Sequence, residues 1–324
     1  PEEIGIICDR DNFDDALSWL TPFDRFFEKA KNGESPAEKG TRASEIPVTQ
    51  MLATQHRSLE PIGELVSCTF YDHKVGTASN LKHANYRNLV PWHPVIDDEE
   101  RAPVIAWIDT SKLSGTEYEC DFTQPGRLFN VGEVEIVKRI VSGCDLGSLA
   151  EEGLVPEERF KVLSPYGYQV AELKKALHSF QMADDISSNL DRIAQTIDSS
   201  QGGESAIVIV SMTRTGKVSS PKRKTDEDYE TQIRRGLGFL TDSARMNVMF
   251  SRAMRQLIIV GNYELFRSFD EMVREWTKNA ADNAKKKQLE AEFGFWGRLL
   301  DQFSDDPDAN ILRVDAQDIL GLIE

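Results

Sequence analysis

Three arginines, Arg245, Arg252 and Arg255, carry the plainest chemistry in the chain. A guanidinium stays charged at any physiological pH and presents a rigid fork of N–H donors that fits phosphate or carboxylate oxygens in pairs. Spacings of seven and three residues are close to two turns and one turn of an α-helix, so on a helix all three would fall near one face. Asp242 or Ser243 can cap such a helix. Met246, Val248, Met249, Phe250 and Ala253 can pack it, and it is expected to run to about Met254. Leu257 to Val260 is a continuous apolar run of strand length, closed by Gly261-Asn262. That pattern suits a strand covered on both faces, as in a parallel sheet. Standing alone, the helix reads most simply as a solvated surface, so its surroundings must decide.

Composition narrows the choice. The 324 residues suit one large or two modest domains, and 40% hydrophobic residues suffice for a core. Net charge is −16, with 28% of residues charged. This argues against a basic coat for tight nucleic-acid binding but leaves room for a narrow local groove. Cys8, Cys68, Cys120 and Cys144 are far apart and form no CxxC, so they read as free thiols in a reducing compartment rather than a zinc or redox site. No metal site is expected. No apolar run reaches about 18 residues and no signal-peptide pattern opens the chain, so no membrane partner is expected. The expected location is intracellular and cytoplasmic, or nuclear in a eukaryote. The chain opens on Pro1-Glu2-Glu3 without an initiator Met, the expectation being a piece of a longer protein.

The elements that must position the arginines follow in order. Ile4 to Ile7 is a short strand, and Lys31 to Glu45 reads as a linker. Val48 to Thr54 is a strand leading into Gln55-His56-Arg57, and Ser58 can cap a helix through Ile62, Leu65, Val66 and Phe70. Residues 76–103 are irregular. Within them Ile96-Asp97-Asp98-Glu99-Glu100 is an acidic loop, because only Val95 and Ile96 are apolar before the acids and Pro94 precedes them. Val104 to Asp109 is a strand. A helix starting at Asn130 or Gly132 buries Val134, Val137, Ile140 and Val141, with Glu133, Glu135 and Lys138 facing outward. Phe160 to Leu163 is a strand, followed by a helix to about Phe180 with the stripe Val170, Leu173, Leu177. Ile207 to Met212 is another strand. Thr215-Gly216-Lys217 is no P-loop, since Ser211 and Val218 stand where that motif needs Gly and Ser or Thr. Lys217 to Lys224 reads as a solvated mobile loop and Tyr263 to Trp276 as a helix. Phe293, Phe295, Trp296, Leu299 and Leu300 form an apolar cluster for the body or a partner.

In this setting the arginine segment resembles motif VI of superfamily 1 helicases, in the branch containing the nonsense-mediated-decay RNA helicase. Gly238-Phe239-Leu240 matches the family's entry and Arg245-Met246-Asn247-Val248 its core. Ser251-Arg252-Ala253 matches its Thr-Arg-Ala centre with serine for threonine, and Gly261-Asn262 ends the strand as in the family. Gln55-His56-Arg57 resembles motif IV, Gln-Tyr-Arg-Met, with His56 for Tyr and Ser58 for Met. Asp198-Ser199-Ser200-Gln201-Gly202-Gly203-Glu204 resembles motif V, and Ser164-Pro165-Tyr166 with Gln169 matches the family's Ser-Pro-Tyr-x-x-Gln. More weakly, Cys8-Asp9-Arg10-Asp11-Asn12 resembles a Gly-Asp-x-x-Gln strand end, with Asn12 at the position that senses the γ-phosphate, and Phe23 to Lys29 resembles the short helix after it.

The resemblance covers roughly residues 46 to 266, with the motifs in family order. It implies an α/β fold: a RecA-like parallel sheet with helices on both faces, lacking its own P-loop. The implied division is 1–45 for the tail of a first RecA-like domain and linker, 46–268 for the second RecA-like domain, and 269–324 for a charged, largely helical extension. The implied catalytic residues are Arg57 and Arg252, reaching the γ-phosphate of ATP that is bound with Mg²⁺ mainly by a first RecA-like domain absent here. Gln55, Gly202, Glu204 and Asn12 fall on the nucleotide side, Glu204 as acceptor from a ribose hydroxyl. Ser164, Tyr166 and Ser199 fall along the path of single-stranded nucleic acid, DNA or RNA, with Tyr166 equally able to stack on a base or simply to pack, and Ser199 donating to a phosphate. The missing domain would lie in the same longer chain or a partner chain. The implied activity is that of an ATP-dependent helicase moving 5′ to 3′, with this chain inactive alone. The alternative is a degenerate, non-enzymatic RecA-like adaptor for nucleic acid or protein.

Overall fold

The computed structural model describes residues 53–115, 119, 128–179, 184–200, 203–216 and 218–321. Everything expected of residues 1–45, including Asn12, lies outside the described residues, as do Gln201, Gly202 and Lys217.

Six parallel strands form the frame: β1 (Ile105–Asp109), β2 (Phe160–Ser164), β3 (Ala194–Thr196), β4 (Ser205–Ser211), β5 (Ala253–Gly261) and β6 (Ile311–Asp315). Their order across the sheet is β6-β1-β5-β4-β2-β3. Register is set by apolar pairs such as Ile105 with Leu257 and Val208 with Leu257. β1, β2 and β4 are buried along their whole length, which is why their sequences are continuous apolar runs rather than alternating ones. Helices cover both faces, giving the α/β RecA-like arrangement that the motif order implied. On one face pack α1 (Glu60–Phe70), α4 (Asp226–Gly236), α5 (Ser243–Phe250), α6 (Tyr263–Asn279), α7 (Asn283–Phe293) and α8 (Phe295–Leu300). On the other pack α2 (Val131–Ser142) and α3 (Gly167–Ser179). Trp107 of β1 anchors the first layer, with ring centroids 5.3 Å from Tyr263, 5.3 Å from Phe266 and 5.5 Å from Phe303.

Four expectations change. The arginine helix was expected to reach Met254, but α5 ends at Phe250 and Ala253 already begins β5. Sheet pairing wins over local helical spacing there, since Ser205 N–H donates to Arg252 O at 3.1 Å and Leu59 N–H to Met254 O at 2.8 Å. Ser58 does not cap α1. Its Oγ donates to Ala253 O at 2.6 Å, Leu59 is the N-cap residue, and Pro61 sits in the first turn where its missing N–H costs nothing. Glu133 does not face outward: it is fully buried in α2, reaching Ser211 Oγ at 2.6 Å and Thr213 N at 2.8 Å. The segment expected as a C-terminal extension supplies α7, α8 and the edge strand β6, and residues 54–324 form one compact unit. The Phe293–Leu300 cluster packs on the body, with Trp296 Nε1 donating to Leu240 O at 2.9 Å.

Candidate anion site

The site sits where β4 and β5 begin. Two loops meet there, one ahead of α1 and one ahead of β4. Gln55 shapes the first. Its Oε1 accepts from Arg57 N (2.8 Å) and Ser58 N (2.9 Å), and its Nε2 donates to Ser58 O (2.8 Å) and Thr77 Oγ1 (3.0 Å). All its polar valences are thus used inside the loop, and what it presents outward is the Arg57 side chain. Gly63 of α1 has to lack a side chain, because a Cβ there would collide with Thr77 Oγ1 and Gln55 Nε2.

Arg57 Nε lies 2.5 Å from Glu204 Oε2, and its Nη1 donates to Ser251 O at 3.1 Å. Arg57 and Glu204 side chains are 39% and 46% exposed, so this pair is weak and exchangeable, worth ~0–1 kcal/mol. Arg252 is the opposite case. It is 8% exposed and its Nε is buried without a partner. Burial first, and then the charge of Arg57, push its pKa below the ordinary arginine value, with Glu204 partly opposing. Arg57, Glu204 and Arg252, from positions 57, 204 and 252, therefore form one electrostatic cluster. Lys161 of β2 is buried beside Arg252 and extends it. Arg57 and Arg252 flank the half-exposed carboxylate of Glu204, while Lys161 feels that of Glu157, leaving an excess of positive charge at this edge.

The three arginines of the opening motif do not share a face. Arg245 lies 3.3 Å from Asp198, and its guanidinium stands 5.1 Å over the Phe239 ring. Arg255, on β5, pairs with Glu152 through Nη1 and Oε1 at 2.9 Å. Only Arg252 joins Arg57.

The remaining expected residues lie toward the other ends of the strands. Ser164 is fully buried, its Oγ 3.1 Å from Thr213 Oγ1. Tyr166 is 7% exposed, and its hydroxyl accepts from Arg214 Nε at 2.5 Å, so packing is its role in this state. Ser199 is exposed, with Oγ donating to Thr196 O at 3.0 Å. The aromatic surface that Tyr166 withholds is offered by Phe239, which is 56% exposed. Phe239, Arg245, Arg214 and Tyr166 line an open cleft of about 600 Å³. Sequence reasoning missed Phe239 as a surface group and Lys161 altogether. The signal for Lys161 was present: a lone charge inside the buried run Phe160-Lys161-Val162-Leu163.

A family model described as an AAA domain matches residues 34–264, well over half of the chain. The chain belongs to this family. Among its relatives is the DNA polymerase alpha-associated DNA helicase A of Saccharomyces cerevisiae, 29% identical over 240 residues, covering 73% of this chain and 31% of that protein. The Schizosaccharomyces pombe protein of the same description is 27% identical over 246 residues, 74% of this chain and 32% of that one. An uncharacterized ATP-dependent helicase of Methanocaldococcus jannaschii is 25% identical over 249 residues, 75% of this chain and 31% of that protein. This AAA domain is a superfamily 1 helicase-like domain, and the chain spans about a third of the length of these relatives.

Proposed function

We propose that this AAA domain is the second motor half of an ATP-dependent superfamily 1 helicase. Arg57 and Arg252 face the terminal phosphate of ATP held by a first RecA-like domain, and single-stranded nucleic acid runs along the Phe239–Arg245 cleft. One observation carries the reading: two arginines 195 positions apart come together on Glu204, one exchangeable and one buried without a partner.

Transfer of a phosphoryl group spreads negative charge over three equatorial oxygens, and guanidinium groups aimed at them stabilise that charge. Mg²⁺, carried by the first domain, would neutralise the other side of the phosphate chain. Within this chain Arg57 has two alternative partners, Glu204 and the incoming phosphate. Exchange between them links nucleotide occupancy to the loop before β4, whose Asp198 holds Arg245 beside Phe239. That linkage would pass a signal from the nucleotide edge to the strand-binding edge. Base stacking on an exposed aromatic such as Phe239 is worth ~1–3 kcal/mol. The 5′ to 3′ direction enters the proposal from the family resemblance, and the intracellular, cytoplasmic setting from the reading of the cysteines as free thiols. The adaptor reading is disfavoured because Arg57 and Arg252, the pair that the motor reading needs, are both retained and come together.

The test is complementation. The chain alone should hydrolyse little ATP, and adding the P-loop half should restore nucleic-acid-stimulated turnover. Arg252→Ala should then lower turnover ~10³-fold or more. Full turnover in that variant would refute the assignment.

A further inference from the structure

Lys161 is the second residue of β2, flanked by buried Phe160, Val162 and Leu163. A strand lysine ordinarily lays its stem along the surface and leaves the ammonium in water. Lys161 is only 6% exposed, and its ammonium lies against Gly203. The ammonium occupies the space that a Cβ at position 203 would take, so a side chain there would displace it. Among the described residues the ammonium has no hydrogen-bond acceptor. The carboxylate it feels is that of Glu157, whose Oε1 is already held by Arg192 Nη1 at 2.9 Å. Its other charged neighbour is Arg252, itself buried with an unpartnered Nε. Burial and the charge of Arg252 push the Lys161 ammonium toward its neutral form, and burial and the charge of Arg57 act on Arg252 in the same direction.

Two adjoining, largely buried cationic side chains that bond no acceptor among the described residues are costly to hold apart from a ligand. A single multiply charged anion, with separate oxygens for each donor, relieves both at once. We propose that Lys161 is a third cationic ligand for a terminal phosphate, seated by the gap at Gly203 and acting beside Arg57 and Arg252. This rests on the phosphate-facing reading of the arginines and extends it. A terminal phosphate carries more than one negative charge, which suits a site where the cations Arg57, Arg252, Lys161 and Arg192 outnumber the carboxylates Glu204 and Glu157. A phosphodiester in a nucleic-acid backbone carries only one.

The test is binding of inorganic pyrophosphate to the full chain, followed by calorimetry, with a short oligothymidylate as a second ligand. Lys161→Met should weaken pyrophosphate binding about tenfold, the effect of losing one charge-assisted hydrogen bond. Gly203→Ala keeps every charge but displaces the ammonium, and should weaken binding in the same direction. It carries the test if Lys161→Met does not fold. Both variants should leave oligothymidylate binding unchanged. Wild-type affinity in both variants, with affinity lost in Arg252→Ala, would overturn the lysine and leave the arginine site standing. No saturable binding in the wild type, or no loss in any of the three variants, would overturn the arginine site together with it. Weakened oligothymidylate binding in Lys161→Met would overturn the choice of a terminal phosphate.

Discussion

The two ends of the same sheet treat buried polar groups in opposite ways. At the end where the strands finish, they bond mostly to one another, with Glu133 Oε1 and Thr110 Oγ1 the atoms left without a partner among the described residues there. Glu133 Oε2 accepts from Ser211 Oγ and Thr213 N, Gln169 Nε2 donates to Asn130 O at 3.1 Å and Ser211 Oγ at 2.8 Å, and Asn130 N returns a bond to Gln169 Oε1 at 2.7 Å. Burial pushes the Glu133 carboxyl up to about 8, so at neutral pH it is an uncharged acid. At the end where β4 and β5 begin, Arg252 Nε is buried without a partner and Lys161 Nζ has no hydrogen-bond acceptor among the described residues. A carboxyl can give up its charge to be buried, whereas a guanidinium cannot. Leftover charge at one end therefore points to a ligand, and closure at the other points to scaffold.

That contrast can be broken in three places. Gln169→Leu removes three buried hydrogen bonds, with Asn130 N, Asn130 O and Ser211 Oγ, and should cost ~2–4 kcal/mol in urea unfolding. Turnover of the assembled motor, measured where the variant is still folded, should hold. A fall in turnover without a fall in stability would show that this end too takes part in the chemistry. Glu133→Gln sharpens the same point through pH. The folded acid titrates near 8 and the unfolded one near 4.5, so between those values the folded state keeps a proton that the unfolded state has released. The contribution of Glu133 to stability is complete below the lower value and is lost as pH rises toward 8, at up to about 1.4 kcal/mol per pH unit. The glutamine variant should lose that slope in urea midpoints taken across the window. An unchanged slope would mean that Glu133 is not buried as an acid. Smallest of all should be Arg255→Ala, which removes an exposed pair with Glu152 worth ~0–1 kcal/mol. Turnover should be essentially unchanged, separating Arg252 from a neighbour only three positions away.

Much of the fold was legible because buried parallel strands write themselves as apolar runs. Ile105–Asp109, Phe160–Ser164 and Ser205–Ser211 each stand within one or two residues of the expected strand. The stripe Val170, Leu173, Leu177 is the buried face of α3 as expected. What failed were places where partners distant in sequence decide. Ala253 and Met254 join β5 because Ser58 and Leu59, almost two hundred residues earlier, bond to their carbonyls. Glu133 looks like a helix surface residue until Ser211 and Thr213 are brought against it. Strand β6 was unreadable because its burial alternates at a sheet edge, Leu312 and Val314 inward and the rest half-buried. In the site, Arg57, Glu204 and Arg252 came from the motifs, and the structure brings them together. Ser164 and Tyr166 came from the same source and lie buried. Lys161 was marked only as a lone charge inside a buried run, and that its ammonium lies against Gly203 needed the three-dimensional arrangement.

The most direct measurement of the central claim is a double-mutant cycle on turnover of the assembled motor, using Arg57→Ala, Arg252→Ala and the pair. If both guanidinium groups act on one phosphate, the double variant should be little worse than the more damaged single variant, because residues acting as a unit are strongly non-additive. Losses that simply multiply, or a loss confined to one of the two arginines, would mean that they do not share an anion.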